Sequence, residues 1–319
     1  MTGLEPGVRV TENYRRFAQH EAAGKSPLYE ELAYAVAADP VVVSFLEGLP
    51  EEKRQPNLLF AAARFLLGVP ADPKTLPALV QERRSDLAHV MRTRRTQTNE
   101  AGRCAVLLPA LSQIPGPLAL IEVGAAAGLT LLHDFYSYDY DGRRVVGLDP
   151  EGPLLRCHAV GPVPVPDAVP EIVWRCGLDL NPLDITSDED LHWLQCLVWP
   201  GDEVRAERLV SAASLARRHR PPVHRGDLLD DLPWLAAAAP ADATLVVFHT
   251  AVLAYVNPEK RAAFAALVAA LRAVWLSNEG EGVLPGVRED ANGKFLLVRD
   301  GSELLARADP HGAWVEWVG

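Results

Sequence analysis

The first third of the chain repeats its apolar positions with the period of an α-helix. Leu28, Leu32 and Val36 share one helical face, and the apolar positions of residues 58–67 show the same spacing. Proline recurs between residues 40 and 77, and proline interrupts helices because it lacks the backbone N–H. We therefore expect residues 1–110 to form a region of short helices, which would act as a lid over a ligand.

The rest of the chain, residues 111–319, has the pattern of an α/β domain. Short apolar runs alternate with helical patterns, which is typical of a parallel sheet with helices on both faces. Near the C-terminus the period changes to two, and turn residues between the runs predict an antiparallel meander. The predicted parallel strands are residues 118–123, 171–179, 222–227, 244–249 and 273–277, and the predicted antiparallel strands are residues 295–299, 302–307 and 313–318.

The segment after the first predicted strand reads EVGAAAGLTLL and begins at Glu122. It combines an acidic residue, two glycines separated by alanines, and an apolar run typical of a helix. Small side chains let a ligand approach the backbone, and the free N–H groups at the start of a helix would bind its polar atoms. The pattern predicts a nucleotide or adenosine-like ligand, with a binding site made of Glu122, Gly124, Ala125, Ala126 and Gly128.

The spacing of these glycines distinguishes between ligand classes. A dinucleotide fingerprint requires G-x-G-x-x-G, but Ala127 and Leu129 stand where its third glycine could lie. The missing glycine disfavours a nicotinamide oxidoreductase. The string resembles motif I of class I S-adenosylmethionine (SAM) methyltransferases, with Ala126 at the place of the family's middle glycine, and the antiparallel C-terminus resembles the end of their Rossmann-like sheet. This resemblance implies SAM as the cofactor.

Two acidic residues compete for the ribose of the expected ligand. A carboxylate at the tip of the second strand can accept hydrogen bonds from both ribose hydroxyls. Asp149 lies nearer the glycine turn, but the prolines after it prevent a helix. Asp179 ends an apolar run and is followed by a turn and by a helix predicted from Ser187. We favour Asp179, with Leu180 beside it, and keep Asp149 as the alternative.

The third and fourth predicted strands end in further candidates. The methyltransferase resemblance implies that Asp227 accepts a hydrogen bond from the adenine amino group and that Leu228 contacts the ring. Alternatively, Asp227 caps the following helix. His249 ends the fourth strand, where it would act as a general base or serve as a buried structural histidine. Tyr255 follows as a second and weaker catalytic candidate.

Four polar residues upstream of the first strand, Arg92, Thr96, Asn99 and Arg103, recur at intervals of four, three and four. This spacing predicts a polar stripe on a single helix. Such a stripe would lie over the ligand, with Asn99 and Arg103 in the binding site and Arg103 facing the carboxylate of the methionine moiety. A solvated helix face is the alternative.

Residues 136–170 form a predicted insertion between the first two strands of the sheet. Tyr136, Tyr138 and Tyr140 alternate along the chain before an Asp141-Gly142 turn. The pattern predicts a hairpin with the three rings on one face. The rings would line a substrate pocket, or they would form a cover packed on the domain.

The overall charge and the cysteine content narrow the function classes. The formal net charge of −11 argues against a nucleic-acid-binding surface. Four scattered cysteines without a C-x-x-C pair indicate reduced thiols rather than disulfides or a metal site. The sequence shows neither a signal peptide nor an apolar run of about 18 residues. We expect a cytoplasmic protein that acts on a small molecule, with no metal, membrane or nucleic-acid partner.

Longer stretches of the chain are similar to one bacterial family. The strings TQTNEAGRCAVLLPAL, RCGLDLNPLDIT, RGDLLDDLP and VVFHTAVLAYVNPE resemble the uncharacterised family called domain of unknown function 2332. The resemblance covers essentially the whole chain and implies a methyltransferase-like fold. Together these observations predict methyl transfer from SAM to a small-molecule acceptor. A non-catalytic nucleoside- or SAM-binding regulatory module on the same fold is the alternative.

Overall fold

The computed structural model of the protein describes residues 6–287 and 293–318. Its α-helices are α1 (Pro6–Phe17), α2 (Pro27–Ala38), α3 (Pro40–Glu47), α4 (Pro56–Leu67), α5 (Thr75–Glu82), α6 (Arg84–Thr93), α7 (Arg103–Leu111), α8 (Asp188–Leu197), α9 (Glu203–His219), α10 (Leu232–Ala238) and α11 (Pro258–Ala270). Its strands are β1 (Leu118–Val123), β2 (Ser137–Tyr140), β3 (Arg143–Val145), β4 (Leu154–Arg156), β5 (His158–Val160), β6 (Ile172–Asp179), β7 (Val223–Arg225), β8 (Thr244–Thr250), β9 (Val274–Gly280), β10 (Phe295–Arg299), β11 (Glu303–Ala308) and β12 (Trp314–Trp317). Within these residues, none of the helices combines the length and the apolar composition needed to cross a membrane.

The chain divides into two compact units, of which the first is helical. It consists of the chain up to Thr98 together with Ser187–Ala206, and it contains α1 to α6 and α8. Two of its helices begin at the side-chain caps Ser26 and Asp39, which accept hydrogen bonds from backbone N–H groups of the first turn. The prediction of several short helices in the first third of the chain is confirmed.

The prediction of a single helix that carries a polar stripe from Arg92 to Arg103 is wrong. Helix α6 ends at Thr93 and α7 begins at Arg103, and residues 94–100 belong to neither a helix nor a strand. Threonine and asparagine, which are frequent in this stretch, have low helix propensity. The carbonyl groups of Arg94 and Arg95 instead accept hydrogen bonds from the side chains of Lys53 (2.8 Å) and Trp193 (3.0 Å).

The second unit, Asn99–Thr186 with the chain from Glu207 onward, is built around a sheet of nine strands among the described residues. The order is β5-β12-β11-β10-β9-β8-β1-β6-β7. Strands β7, β6, β1, β8 and β9 are mutually parallel. If these five strands are numbered 1 to 5 in chain order, their order across the sheet is 3-2-1-4-5. Strands β10 to β12 continue as an antiparallel meander. The prediction of an α/β fold, with a parallel sheet that ends in antiparallel strands, is confirmed.

Strand β1 lies at the centre of the parallel part and is buried along its whole length. On one face of the sheet, Ile121, Val247 and Trp275 belong to a single apolar core with residues of α10 and α11. The strand order reverses at β1, because β6 lies on one side of it and β8 on the other. In open α/β sheets, ligands bind outside the carboxyl ends of the strands at such a reversal. The glycine turn that follows β1 lies at this edge.

The insertion after the glycine turn contains the predicted hairpin. Strands β2 and β3 pair across a turn at Asp141, and β4 completes a small sheet of order β3-β2-β4. The hydroxyl groups of Tyr136, Tyr138 and Tyr140 donate hydrogen bonds of 2.7, 2.5 and 2.6 Å to backbone carbonyl groups, and all three side chains are buried. The three rings therefore form a packed cover on the domain rather than the wall of an accessible pocket.

Candidate functional site

The chain leaves β1 through a turn that favours small residues. Gly124, Ala126 and Gly128 have φ angles of 74°, 49° and 74°, in the left-handed region that suits glycine. Asp179, at the tip of the adjacent β6, accepts hydrogen bonds from the N–H groups of Ala126 (2.9 Å) and Asn181 (2.7 Å). The fold thus brings the carboxylate of Asp179 directly against the glycine turn.

The alternative ribose acid, Asp149, occupies a different position. It follows β3 of the small sheet, so it does not stand at the tip of a strand beside β1. Its carboxylate receives hydrogen bonds from His219 (2.9 Å) and Arg218 (3.0 Å), which lower its pKa to about 2. Of the two candidates, Asp179 alone lies next to the turn.

The prediction of a helix after the glycine turn is wrong. Only a single 3₁₀ turn, Leu129–Leu131, follows Gly128. Side chains bind its backbone groups: the amide oxygen of Asn99 accepts from the N–H of Leu129 (2.9 Å), and Arg175 donates to the carbonyl of Leu131 (3.0 Å). These contacts direct the chain into the small sheet. No helix therefore begins directly after Gly128, and Asn99 instead fixes the turn.

Glu122, the acidic residue of the motif, is a buried carboxyl group at the end of β1. Burial, and to a smaller extent the negative charge of the nearby Asp179, raise its pKa to about 8. The hydrogen bond from Thr130 and the positive charge of Arg103 lower the pKa, but by less. The hydroxyl of Thr130 donates to Oε1, while Oε2 has no hydrogen-bond partner in the described part of the chain. At neutral pH the group is therefore mostly protonated.

Arg103 lies at the start of α7 and is buried. Its Nε donates to the carbonyl of Pro310 (2.8 Å), and its Nη1 donates to the carbonyl (3.1 Å) and hydroxyl (3.3 Å) of Thr250. The guanidinium also lies over the ring of Phe295, 5.5 Å from its centroid. From the sequence we expected Arg103 to contact the carboxylate of the methionine moiety of the ligand. In the structure, the guanidinium links the end of β8 to the turn between β11 and β12.

Side chains pack closely against two glycines at this end of the sheet, Gly124 in the turn and Gly177 in the adjacent strand β6. A Cβ atom at Gly124 would lie 2.3 Å from Cγ2 of Val252, and one at Gly177 would lie 2.5 Å from Cβ of Ala125. Val252 belongs to the segment after β8, in which Ala251 has a φ of 57°. The side chain of Val252 thus packs directly against the backbone of Gly124.

His249 is buried at the end of β8, and both of its ring nitrogens are engaged. Nδ1 lies 2.7 Å from Oε1 of Glu279, and Nε2 lies 3.0 Å from the indole nitrogen of Trp275. Because the indole N–H can only donate, this network assigns the acceptor role to Nε2 and the proton to Nδ1. The ring is then neutral and fully hydrogen-bonded. This arrangement corresponds to a structural histidine rather than to a general base.

Glu279, which sequence reasoning missed, organises the segment after β8. Its Oε1 also accepts hydrogen bonds from the N–H groups of Val252 (2.7 Å) and Leu253 (3.0 Å). Burial raises the pKa of this carboxyl, but the hydrogen bonds from His249 and the two backbone groups outweigh burial, and the pKa is lowered on balance. The sequence did contain a signal for Glu279: like Asp179 in β6, it is an acidic residue near the end of a parallel strand.

The remaining candidates are spread along the same unit. Asp227 pairs with Lys260 and accepts from the N–H of Leu229 (2.9 Å); burial raises its pKa, but these contacts outweigh it and the pKa is lowered. Leu228 is buried in the apolar core. Leu180 and Tyr255 are 57% and 72% exposed. The structure therefore groups Glu122, the glycine turn and Asp179, whereas Leu228 packs inside the domain.

Comparisons with known proteins give a family but no activity. The model of the family described as "Uncharacterized protein conserved in bacteria (DUF2332)" matches residues 11–317, and the resemblance seen in the sequence is thereby confirmed. No curated protein and no solved structure matches the chain. Among the described residues, no three His, Cys, Asp or Glu side chains form a group that could hold a metal ion.

Proposed function

Since the chain belongs to DUF2332, a family whose description names no activity, we propose from its own residues that it is a SAM-dependent methyltransferase. It would transfer the methyl group to a small-molecule acceptor. The α/β unit would then be of the Rossmann-like class I methyltransferase type. The parallel order 3-2-1-4-5 supports this proposal, because it is the order of doubly wound nucleotide-binding sheets.

The position of Asp179 carries the proposal. Its carboxylate lies at the tip of the strand beside β1 and is bound to the N–H of Ala126 at 2.9 Å. An adenosyl ligand needs an acceptor for two ribose hydroxyls close to a backbone without side chains, and a carboxylate can accept several hydrogen bonds at once. Asp179 and the glycine turn supply both features at the sheet edge where ligands bind.

Two further observations bear on how the cofactor fits. Oε2 of Glu122 is a buried oxygen without a hydrogen-bond partner among the described residues, and buried polar atoms normally have one. The side chain of Val252 packs against the backbone of Gly124, so a ligand can reach this glycine only if Val252 moves. SAM would fit here only after Val252 moves, and we place this movement in residues 251–255, which include Ala251 with its left-handed backbone.

When bound, SAM supplies an electrophilic methyl group on its sulfonium. The displacement requires alignment of the acceptor and exclusion of water more than it requires an acid or a base. Asp179 and the turn would orient the adenosyl part, and Glu122 would supply a neutral hydrogen-bonding group at neutral pH. The engagement of both nitrogens of His249 is compatible with such a reaction.

A second function, a non-catalytic nucleoside- or SAM-binding module, is favoured by one observation. Val252 covers Gly124, and a site that opens only when a ligand binds suits a regulatory protein as well as an enzyme. The two functions differ in turnover. Only the enzyme would release S-adenosylhomocysteine when it is incubated with SAM and a filtered small-molecule extract of bacterial cells.

Calorimetric titration with SAM tests the proposal. We expect Asp179→Asn to weaken SAM binding about tenfold or more, because a charged acceptor of two hydrogen bonds is lost. The matched variant Asp149→Asn, at the other acidic candidate, should bind as the wild type does. Thermal unfolding of both variants controls for their folding. Absence of SAM binding by the wild type at high micromolar concentration would contradict the proposal, as would equal binding by both variants.

A further inference from the structure

A cavity of about 750 Å³ lies along α11, away from the glycine turn and Asp179. Its walls are α11, the start of β9, the segment 282–286 and the turn 300–302. Small-molecule sites in proteins are commonly clefts of about 300–1,000 Å³ with a mainly apolar lining. The size of this cavity is in that range.

Most of the residues that line the cavity are apolar, and several of them are alanines. Ala262, Ala265 and Ala269 line it, and their spacing of three and four residues places them on one face of α11. Trp275, Val283 and Leu284 also line the cavity, and all three are buried. Ala262 and Ala269 are exposed and Ala265 is half-buried, so the space is a cleft open to solvent along α11, and a ligand seated in it would cover apolar surface of these alanines.

Hydrogen bonds keep these walls in place. The guanidinium of Arg261 donates to the carbonyls of Val256 (2.7 Å) and Val283 (3.2 Å), which ties the segment after β9 to α11. Oδ1 of Asp300 accepts from the N–H of Trp275 (2.9 Å). A Cβ atom at Gly301 would lie 2.9 Å from the ring of Trp275, so the turn packs closely on the indole.

One charged side chain of the lining, that of Arg272, takes no part in these hydrogen bonds. Arg272 follows α11 and is exposed, and its guanidinium has no hydrogen bond or ion pair with the described residues. The other charged groups of the lining are Arg261 and Asp300, which are engaged as described. The lining therefore carries two positive charges against one negative charge, and the guanidinium of Arg272 is available to an anion.

We propose that this cavity binds a small molecule with an apolar body and one anionic group, such as an aromatic or aliphatic carboxylate or sulfonate. The body packs between the alanine face of α11 and the ring of Trp275. The anion pairs with Arg272 at the rim. This site is separate from the proposed SAM site and does not depend on it.

Two dyes of matched shape test the proposal. 1-Anilinonaphthalene-8-sulfonate is anionic, and N-phenyl-1-naphthylamine has the same rings without the charge. We expect both dyes to bind the folded protein with increased fluorescence, the anionic dye about threefold more tightly. Arg272→Gln should abolish this difference and leave the neutral dye unaffected.

Filling the cavity provides the second arm of the test. Ala265→Leu places a larger side chain in the cavity and should weaken both dyes about tenfold or more. Ala266→Leu, at an exposed position of the same helix that does not line the cavity, is the matched control and should bind both dyes as the wild type does. Thermal unfolding in the absence of dye establishes that each variant is folded.

Three results would overturn the proposal. In the first, Ala265→Leu binds the dyes as tightly as Ala266→Leu does, which places the dyes elsewhere. In the second, Arg272→Gln weakens both dyes equally, so that the charge plays no part. In the third, sedimentation shows that the wild type self-associates and Ala265→Leu does not, which makes a second copy of the chain the occupant.

Discussion

At the scale of single residues, Glu122 and His133 are two buried ionisable side chains whose pKa values differ from their ordinary values in opposite directions. Burial raises the pKa of Glu122 to about 8. Burial, and then the charge of Arg175, lower the pKa of His133 to about 3. Both changes disfavour the charged form of a side chain that has lost its water. Between about pH 3 and about pH 8, both side chains are therefore mostly neutral in the folded protein.

We predict that Glu122 makes the protein less stable as the pH rises from about 4.5 to about 8. In this range the folded state keeps a proton that the unfolded state has released, so the free energy of unfolding falls with increasing pH. The fall is about 1.4 kcal/mol for each pH unit in which the two states differ by one bound proton. His133 acts in the opposite sense, and its effect ends above about pH 6.5.

Urea unfolding of Glu122→Gln at a series of pH values checks this prediction. The variant cannot ionise at this position, so its stability should fall less steeply than that of the wild type above about pH 6.5. Glu82→Gln, which removes an exposed carboxyl, is the control and should follow the wild type. Equal slopes for Glu122→Gln and the wild type would show that Glu122 is already ionised in the folded protein.

Trp275 also leads to a prediction at this scale. Trp275→Phe removes the N–H that Nε2 of the fully buried His249 accepts. An unsatisfied buried polar atom costs about 1–3 kcal/mol, and we expect the free energy of unfolding to fall by that amount. Trp234→Phe removes a side chain that is 61% exposed and should change little. Equal stabilities of the two variants in urea would contradict the hydrogen-bond assignment.

At the scale of elements, the segment after β8 packs against the turn after β1, where we propose that SAM binds. Glu279 holds the N–H groups of Val252 and Leu253, and the side chain of Val252 covers Gly124. Ligand binding would have to displace this side chain, and the cost of displacement reduces the apparent affinity. A smaller side chain at this position lowers that cost.

Val252→Ala should therefore bind SAM more tightly than the wild type does, by about threefold to tenfold. Val256→Ala is the matched control, because Val256 lies in the same segment but packs against the apolar core. Calorimetry on both variants distinguishes the outcomes. If Val252→Ala binds SAM no better than Val256→Ala does, then Val252 does not limit access to the turn.

At the scale of the whole molecule, local patterns predicted much of the fold. β1 and β10 begin and end at the predicted residues, Leu118–Val123 and Phe295–Arg299, because apolar runs bounded by turns specify strands without tertiary information. Helix α8 begins after Ser187, whose hydroxyl accepts from the N–H of Asp190, as its cap sequence predicted. The position of Asp179 beside the glycine turn followed from the same alternation of strands and helices.

Features that depend on distant contacts could not be read from the sequence. The apolar run after Gly128 has a helical pattern, but Asn99 and Tyr136 bind its backbone and only one turn forms. The covering of Gly124 by Val252 and the pairing of His249 with Glu279 likewise join residues that are far apart in the chain. Such contacts are set by packing, for which spacing gives no signal.

A crystal structure of the protein with S-adenosylhomocysteine would show whether Asp179 and the glycine turn hold the cofactor. We expect both ribose hydroxyls within hydrogen-bond distance of Asp179, the adenosyl group against Gly124, and Val252 displaced from its present contact with that glycine. A ligand bound away from Asp179, or bound while Val252 still covers Gly124, would contradict this expectation.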